Sequence, residues 1–231
     1  MKSARPVGYR NGRNQDRRTA ILNAAREVFG ERGYQRATTL QIAARAQTSK
    51  RALYLLFGSK DGIVQAMISE RVREMRRPLE LRTPESRAEF FVTLQQFGVS
   101  FLTQLLAQPT IALYQLAIAE AAQSPELGSA LYHAGRLPVT RAISELFAKT
   151  VARGWVDFAD TKEALSAYMH TLMGDVLMRC LLGAETPPRA RELRHRAALA
   201  VAAVLRLDRK FTQGASETNL IERQWRGRTN Q

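Results

Sequence analysis

The stretch that decides the reading is Thr38–Phe57, TTLQIAARAQTSKRALYLLF. Thr38 and Thr39 are hydroxyl residues suited to a helix start, where a side-chain oxygen accepts from a backbone N–H that the first turn leaves unpaired. Behind them Ile42, Ala43 and Ala46 share one face, a polar turn follows, Ser49 caps a second short helix, and Leu53 and Leu56 mark its inward side. Small Ala43 lets the second helix cross the first closely. A helix-turn-helix is therefore predicted at residues 38–57. Its outward Ser49, Lys50, Arg51 and Tyr54 have the donors that duplex DNA accepts at base edges and phosphates.

Upstream, Ile21, Ala24, Ala25, Val28 and Phe29 recur at helical spacing, so a helix is expected at about 16–32, ended by Gly33. Met1 to Gln15 sets Pro6, Gly8 and Gly12 among basic residues without apolar periodicity and reads as a flexible basic arm; its Arg13, and Arg17 just beyond it, are candidates for DNA contact. Downstream, Ile63, Val64, Met67, Ile68, Val72 and Met75 predict a helix from Asp61 to Arg77 that Pro78 ends. Further helices are expected at about 85–107, 109–122, 125–152, 161–182 and 188–207, with Pro138 dividing the third, and there is no alternating strand pattern. After Asp208 a polar tail, 209–231, carries only Leu220, Ile221 and Trp225 as bulky apolar residues. The chain is expected to be all-α: a DNA-binding domain at 16–60, or to about 75 with the connecting helix, then an effector-binding and dimerisation domain at 61–208.

Composition agrees. The 231 residues are 45% hydrophobic, enough for a packed core, and carry a formal net charge of +14. Residues 1–60 hold 13 basic and 3 acidic side chains, so the positive charge is concentrated at the predicted motif and attracts a polyanion there. No apolar run approaches the roughly 18 residues needed to cross a bilayer, so a cytoplasmic protein is expected. The single Cys180 excludes an internal disulfide and reads as a small buried apolar residue.

Ile21, Ala24-Ala25, Phe29, Gly33-Tyr34, Thr38-Thr39, Ile42-Ala43, Ser49, Leu53-Tyr54, Phe57 and Ser59-Lys60-Asp61 together resemble the tetracycline-repressor (TetR) family. The later segments Ile118-Ala119-Glu120-Ala121, Ser124-Pro125-Glu126-Leu127, Tyr132, Gly154-Trp155 and Leu181-Leu182-Gly183 are similar to its AefR-like group. The resemblance implies a homodimer that represses transcription until a small effector binds. By position it implies phosphate contacts from Tyr54 and Lys60, contacts beside the groove from Thr39 and Thr48, and base contacts from Lys50, Arg51 and Leu55, with Thr38 and Ser49 also at the interface. Two positions depart from the family: Gln47 stands where the turn usually has glycine, and Leu56 where an aromatic or His is usual.

For the second domain, Leu165, Met169, Leu172 and Val176 on one stripe and Leu193, Ala197, Val201 and Val204 on another suggest an intersubunit four-helix bundle; the alternative is the core of one subunit. Phe97, Phe101, Tyr114, Tyr132 and Met173, with the polar Glu120, His133 and His170, are candidates to line a cavity for a lipophilic effector. His133, His170 and His195 lack metal-ligand spacing, and there is no phosphate loop or nucleophile elbow, so neither enzyme activity, metal nor cofactor is expected. A basic architectural DNA-binding protein without an effector is the alternative. A membrane-surface protein is disfavoured, because the basic segments lack a bulky apolar opposite face.

Overall fold

Helices make up the fold. The structure, a computed structural model, describes residues 7–81, 83–123 and 125–210. Its helices are α1 (Val7–Arg36), α2 (Thr39–Arg45), α3 (Lys50–Phe57), α4 (Lys60–Leu81), α5 (Arg87–Leu105), α6 (Gln108–Ala119), α7 (Pro125–Ala130), a π turn (Leu131–Arg136), α8 (Leu137–Ala152), α9 (Thr161–Met173), α10 (Val176–Leu181) and α11 (Ala190–Leu207). Among the described residues there is no strand, only one isolated bridge between Phe158 and Asp208.

Four boundaries differ from the sequence expectation, each for a local reason. The expected arm is helical from Val7, because Gly8 and Gly12 each cost only about 1 kcal/mol relative to alanine and a formed helix gains a hydrogen bond for every residue it extends. Pro78 does not end α4. The carbonyl four residues before it, on Glu74, instead accepts from Ser100 Oγ at 2.7 Å, which replaces the donor that proline lacks. At Pro138 the chain widens into the π turn rather than breaking, and the proline sits in the first turn of α8, where its missing N–H is least costly. The expected helix 161–182 is split by Gly174, whose φ of 47° and ψ of −131° are not helical.

The chain divides into two compact units. One comprises the described residues up to Glu70 together with Ala112–Gly135; the other comprises Arg71–Ile111 and the described residues from Arg136 on. Ala112–Gly135 thus packs with the helix-turn-helix. In the first unit Ile21, Ala25, Val28 and Phe29 of α1, Ile42 and Ala43 of α2, Leu53 of α3, and Ile63 and Val64 of α4 are buried.

In the second unit α11 packs on α9 and α5. Gly98 of α5 is what lets them approach: a Cβ there would lie 2.8 Å from the Tyr168 hydroxyl, and 3.1 Å from both Ala197 Cβ and Leu172 Cδ1. Tyr168 is fully buried among Phe97 and Phe147, and its hydroxyl donates to the Leu94 carbonyl at 2.7 Å. Burial drives its phenol well above the ordinary range, so it stays a donor. At the end of α11, buried Asp208 accepts from Arg87 at 2.8 Å and from the Asp157 and Lys210 backbone N–H groups, so the carboxylate is paired as a buried charge must be. Cys180 is buried, as its small apolar character predicts. Gly98→Ala is expected to lower stability by about 1–3 kcal/mol through overpacking at this three-helix contact, measured by urea unfolding.

Candidate nucleic-acid interface

The two short helices of the motif are capped as their sequence predicts. Thr38 Oγ1 accepts from Gln41 N–H at 3.2 Å while Gln41 Oε1 accepts from Thr38 N–H at 3.0 Å, a reciprocal capping box. Ser49 Oγ accepts from Ala52 N–H at 3.1 Å. Both hydroxyls therefore spend an acceptor site within the chain and keep an O–H to donate outward.

The turn between the helices is a Schellman closure. Thr48 N–H donates to the Ala43 carbonyl at 2.9 Å and Gln47 N–H to that of Ala44 at 3.1 Å, which requires a left-handed residue just past the helix. Gln47 takes that conformation with φ 50°, the only non-glycine to do so among the described residues. A side chain there costs about 1–2 kcal/mol, so the family's glycine position keeps its geometry and loses stability instead.

With the turn so closed, Leu53 is fully buried and Lys50, Arg51, Tyr54 and Leu55 are exposed. Lys50 Nζ lies 5.6 Å from the Tyr54 ring centroid, and the Tyr54 hydroxyl is 3.3 Å from Thr39 Oγ1, so the predicted contact residues of the two helices meet at one surface. A groove of about 480 Å³ is lined by Asp16, Arg17 and Ala20 of α1 and by Ala46, Gln47, Thr48, Ser49 and Ala52. It brings Arg17 beside Thr48 and Ser49. The side chain of Arg13 and the tail beyond Lys210 lie outside the described residues.

Not every basic residue of the motif is free for a polyanion. Arg45 is forked onto Glu31 at 2.8 and 2.9 Å and reaches Glu27 at 3.0 Å. Lys60, expected at a phosphate, donates to the carbonyls of Tyr34 at 2.9 Å and Ala37 at 3.2 Å and lies 4.2 Å from the Tyr34 ring centroid. Its first task is to close the segment between α1 and α2, which the residue pattern alone did not reveal.

The other feature that the residue pattern did not reveal is what the break at Gly33 binds. Its φ of 74° breaks α1 and turns the N–H groups of Tyr34 and Gln35 onto the Glu120 carboxylate, at 2.6 and 3.1 Å. A Cβ on Gly33 would lie 2.6 Å from Glu120 Oε1. The Tyr34 hydroxyl in turn donates to Asp61, and burial, aided by that bond and the surrounding carboxylates, holds its phenol above the ordinary range. Glu120, expected at a ligand, is thus committed to backbone donors.

The remaining expected ligand residues are divided between the two units. Phe97 and Phe101 stack at 5.7 Å inside the core of the second unit, where His170 is exposed beside Ser166 and Met173 is partly buried. Tyr114, Tyr132 and His133 belong to the first unit. Of these, His133 lines a cleft of about 610 Å³ with Tyr34, Asp61, Gln65 and α7 residues, while Tyr132 is half exposed against it at 5.2 Å.

The expected dimer stripe is also corrected. Leu172, Val176, Leu193, Ala197, Val201 and Val204 are all buried within the single chain, because core and interface stripes have the same period; only Leu165 and Met169 are partly exposed. The exposed apolar residues of these helices are instead Met178, Leu182 and Leu199.

Residues 21–67 match the family model described as bacterial regulatory proteins, tetR family, and residues 92–207 match that of the AefR-like transcriptional repressor, C-terminal domain. The chain belongs to the TetR family. Among solved structures it is similar to a TetR regulator from Agrobacterium tumefaciens, with TM-score 0.67 and 30% identity over 83% of this chain and 94% of that one. A TetR-family protein from Mesorhizobium loti has the same fold, with TM-score 0.66 and 22% identity over 85% and 98% of the two chains. The regulator BetI of Brucella suis is 30% identical over 48% of this chain, and the match spans 56% of that relative's length. These relatives are named as transcriptional regulators, and the helix-turn-helix of this TetR-family chain is a DNA-binding element. No single described helix is long and apolar enough to cross a membrane.

Two substitutions test the local geometry. Gln47→Gly should raise stability by up to about 1 kcal/mol, the relief of the left-handed side chain less the entropy that glycine gains in the unfolded chain, read as a shifted urea midpoint at constant m. Gly33→Ala should lower stability by about 1–3 kcal/mol by forcing a Cβ against the Glu120 carboxylate at positive φ, read as an earlier thermal transition.

Proposed function

We propose that this TetR-family chain is a homodimeric repressor that leaves its operator when a small lipophilic effector binds. The observation that carries the DNA-reading part is α3 itself: Leu53 is fully buried while Lys50 and Arg51 of the same helix stand in solvent beside Tyr54 and Thr39. In this reading Lys50 and Arg51 contact bases, Tyr54, Thr38, Thr39, Thr48 and Ser49 contact phosphates and sugars, Leu55 faces the bases, and Arg17, with Arg13, lies along the adjacent backbone. Lys60 contributes one remaining N–H to a phosphate while bracing α1.

Repression is supported by the match of half the chain to a repressor C-terminal domain. The dimer is assigned to the outward faces of α10 and α11, where Met178, Leu182 and Leu199 leave apolar surface in solvent, with Leu165 and Met169 at its margin. An effector lowers operator affinity only by binding one state of the dimer better than the other, so DNA weakens effector binding by the same factor.

The test is a mobility shift on the DNA upstream of the protein's own gene against random duplex of equal length. Lys50→Ala and Arg51→Ala should each cost about 1–3 kcal/mol on the specific site and far less on random DNA. Equal loss on both would refute base reading by these residues. Wild-type affinity that is equal on both would favour a basic architectural protein.

A further inference from the structure

Leu55 is 78% exposed on α3, whereas Leu53, two residues earlier, is fully buried. At about 100° of rotation per residue the two side chains leave the helix about 200° apart, so Leu55 points directly away from the core. Arg51, one turn before it, leaves within about 40° of the same direction. Tyr54 has its ring beneath Lys50 and its hydroxyl beside Thr39, and so has partners within the motif; Leu55 stands beyond them at the outermost line of the helix.

Folding gives no reason for an apolar residue at that position. A single exposed leucine elsewhere on the surface would mean nothing. At the apex of a helix that enters the major groove, it meets whatever the groove presents, and the apolar group displayed there is the 5-methyl of thymine. Arg51 beside it has the fork that matches guanine O6 and N7.

We infer that Leu55 is a specificity-determining residue that reads a thymine methyl, next to a guanine read by Arg51. Residues four apart are separated by about 6 Å along a helix, close to two base-pair steps of about 3.4 Å. Each half-site therefore places a thymine within about two base pairs of a guanine. The inference rests on α3 being the DNA-reading helix and adds which chemical group it recognises.

The experiment enriches binding sites for the full-length protein from a random duplex pool, then replaces each thymine of the enriched site in turn by deoxyuridine, which lacks only the methyl. Wild type should lose about fourfold in affinity at one thymine per half-site, the worth of one buried methyl, and be indifferent elsewhere. Leu55→Ala should bind the thymine and deoxyuridine duplexes equally. The inference is overturned if every deoxyuridine duplex binds wild type as tightly as its parent, if Leu55→Ala keeps the discrimination, or if the enriched half-site has no thymine near its guanine. If no sequence is enriched over the starting pool, the assignment of α3 as the reading helix falls and this inference with it. Enrichment without methyl dependence overturns the role of Leu55 alone.

Discussion

The left-handed turn at Gln47 decides what α3 can do. Two carbonyls at the end of α2 are paired by N–H groups from Gln47 and Thr48, and this closure sets the direction in which α3 departs. A slip of one residue would turn every side chain of α3 by about 100°, placing Ala52 or Tyr54 where Leu53 sits and exposing the leucine. The strain of a non-glycine there is outweighed by the apolar residues that the turn brings together, Ile42 and Ala43 from one side and Leu53 from the other.

The motif is held from outside its own sequence as well. The Glu120 carboxylate accepts from the N–H groups of Tyr34 and Gln35 that Gly33 frees, and the Tyr34 hydroxyl donates a hydrogen bond to Asp61. Lys60 reaches back to the carbonyls on the opposite side of the same segment. Anionic and cationic side chains thus complement the unpaired N–H and C=O groups around the break between α1 and α2, as the partial charges of helix ends favour. Such bonds couple residues 112–135 to the DNA-binding element by chemistry that a motif search along the chain does not register.

Periodicity located the helices well because an apolar face repeats every three to four residues wherever it is buried, as at Ile21, Ala25 and Phe29. It misjudged Pro78 because the cost of a proline depends on whether another group satisfies the freed carbonyl, and Ser100 lies 26 residues from its acceptor Glu74. It placed Leu172, Val176, Ala197 and Val201 on the correct stripes and gave those stripes the wrong partner. Among the expected ligand residues, large and aromatic character does not separate a core from a pocket: Phe97 and Phe101 fill a core with the same side chains a pocket would use.

What the sequence determined by itself is local: the caps at Thr38 and Ser49, the buried period of each helix, the outward Lys50 and Arg51, and the basic charge around them. These follow from interactions within a few residues of chain. The tertiary structure alone decided that Lys60 braces α1, that Glu120 closes the Gly33 break, and that the α9 and α11 stripes face each other. Those outcomes depend on which groups long loops bring within hydrogen-bonding or packing distance, and a charge or an apolar face carries no mark of the partner it will meet.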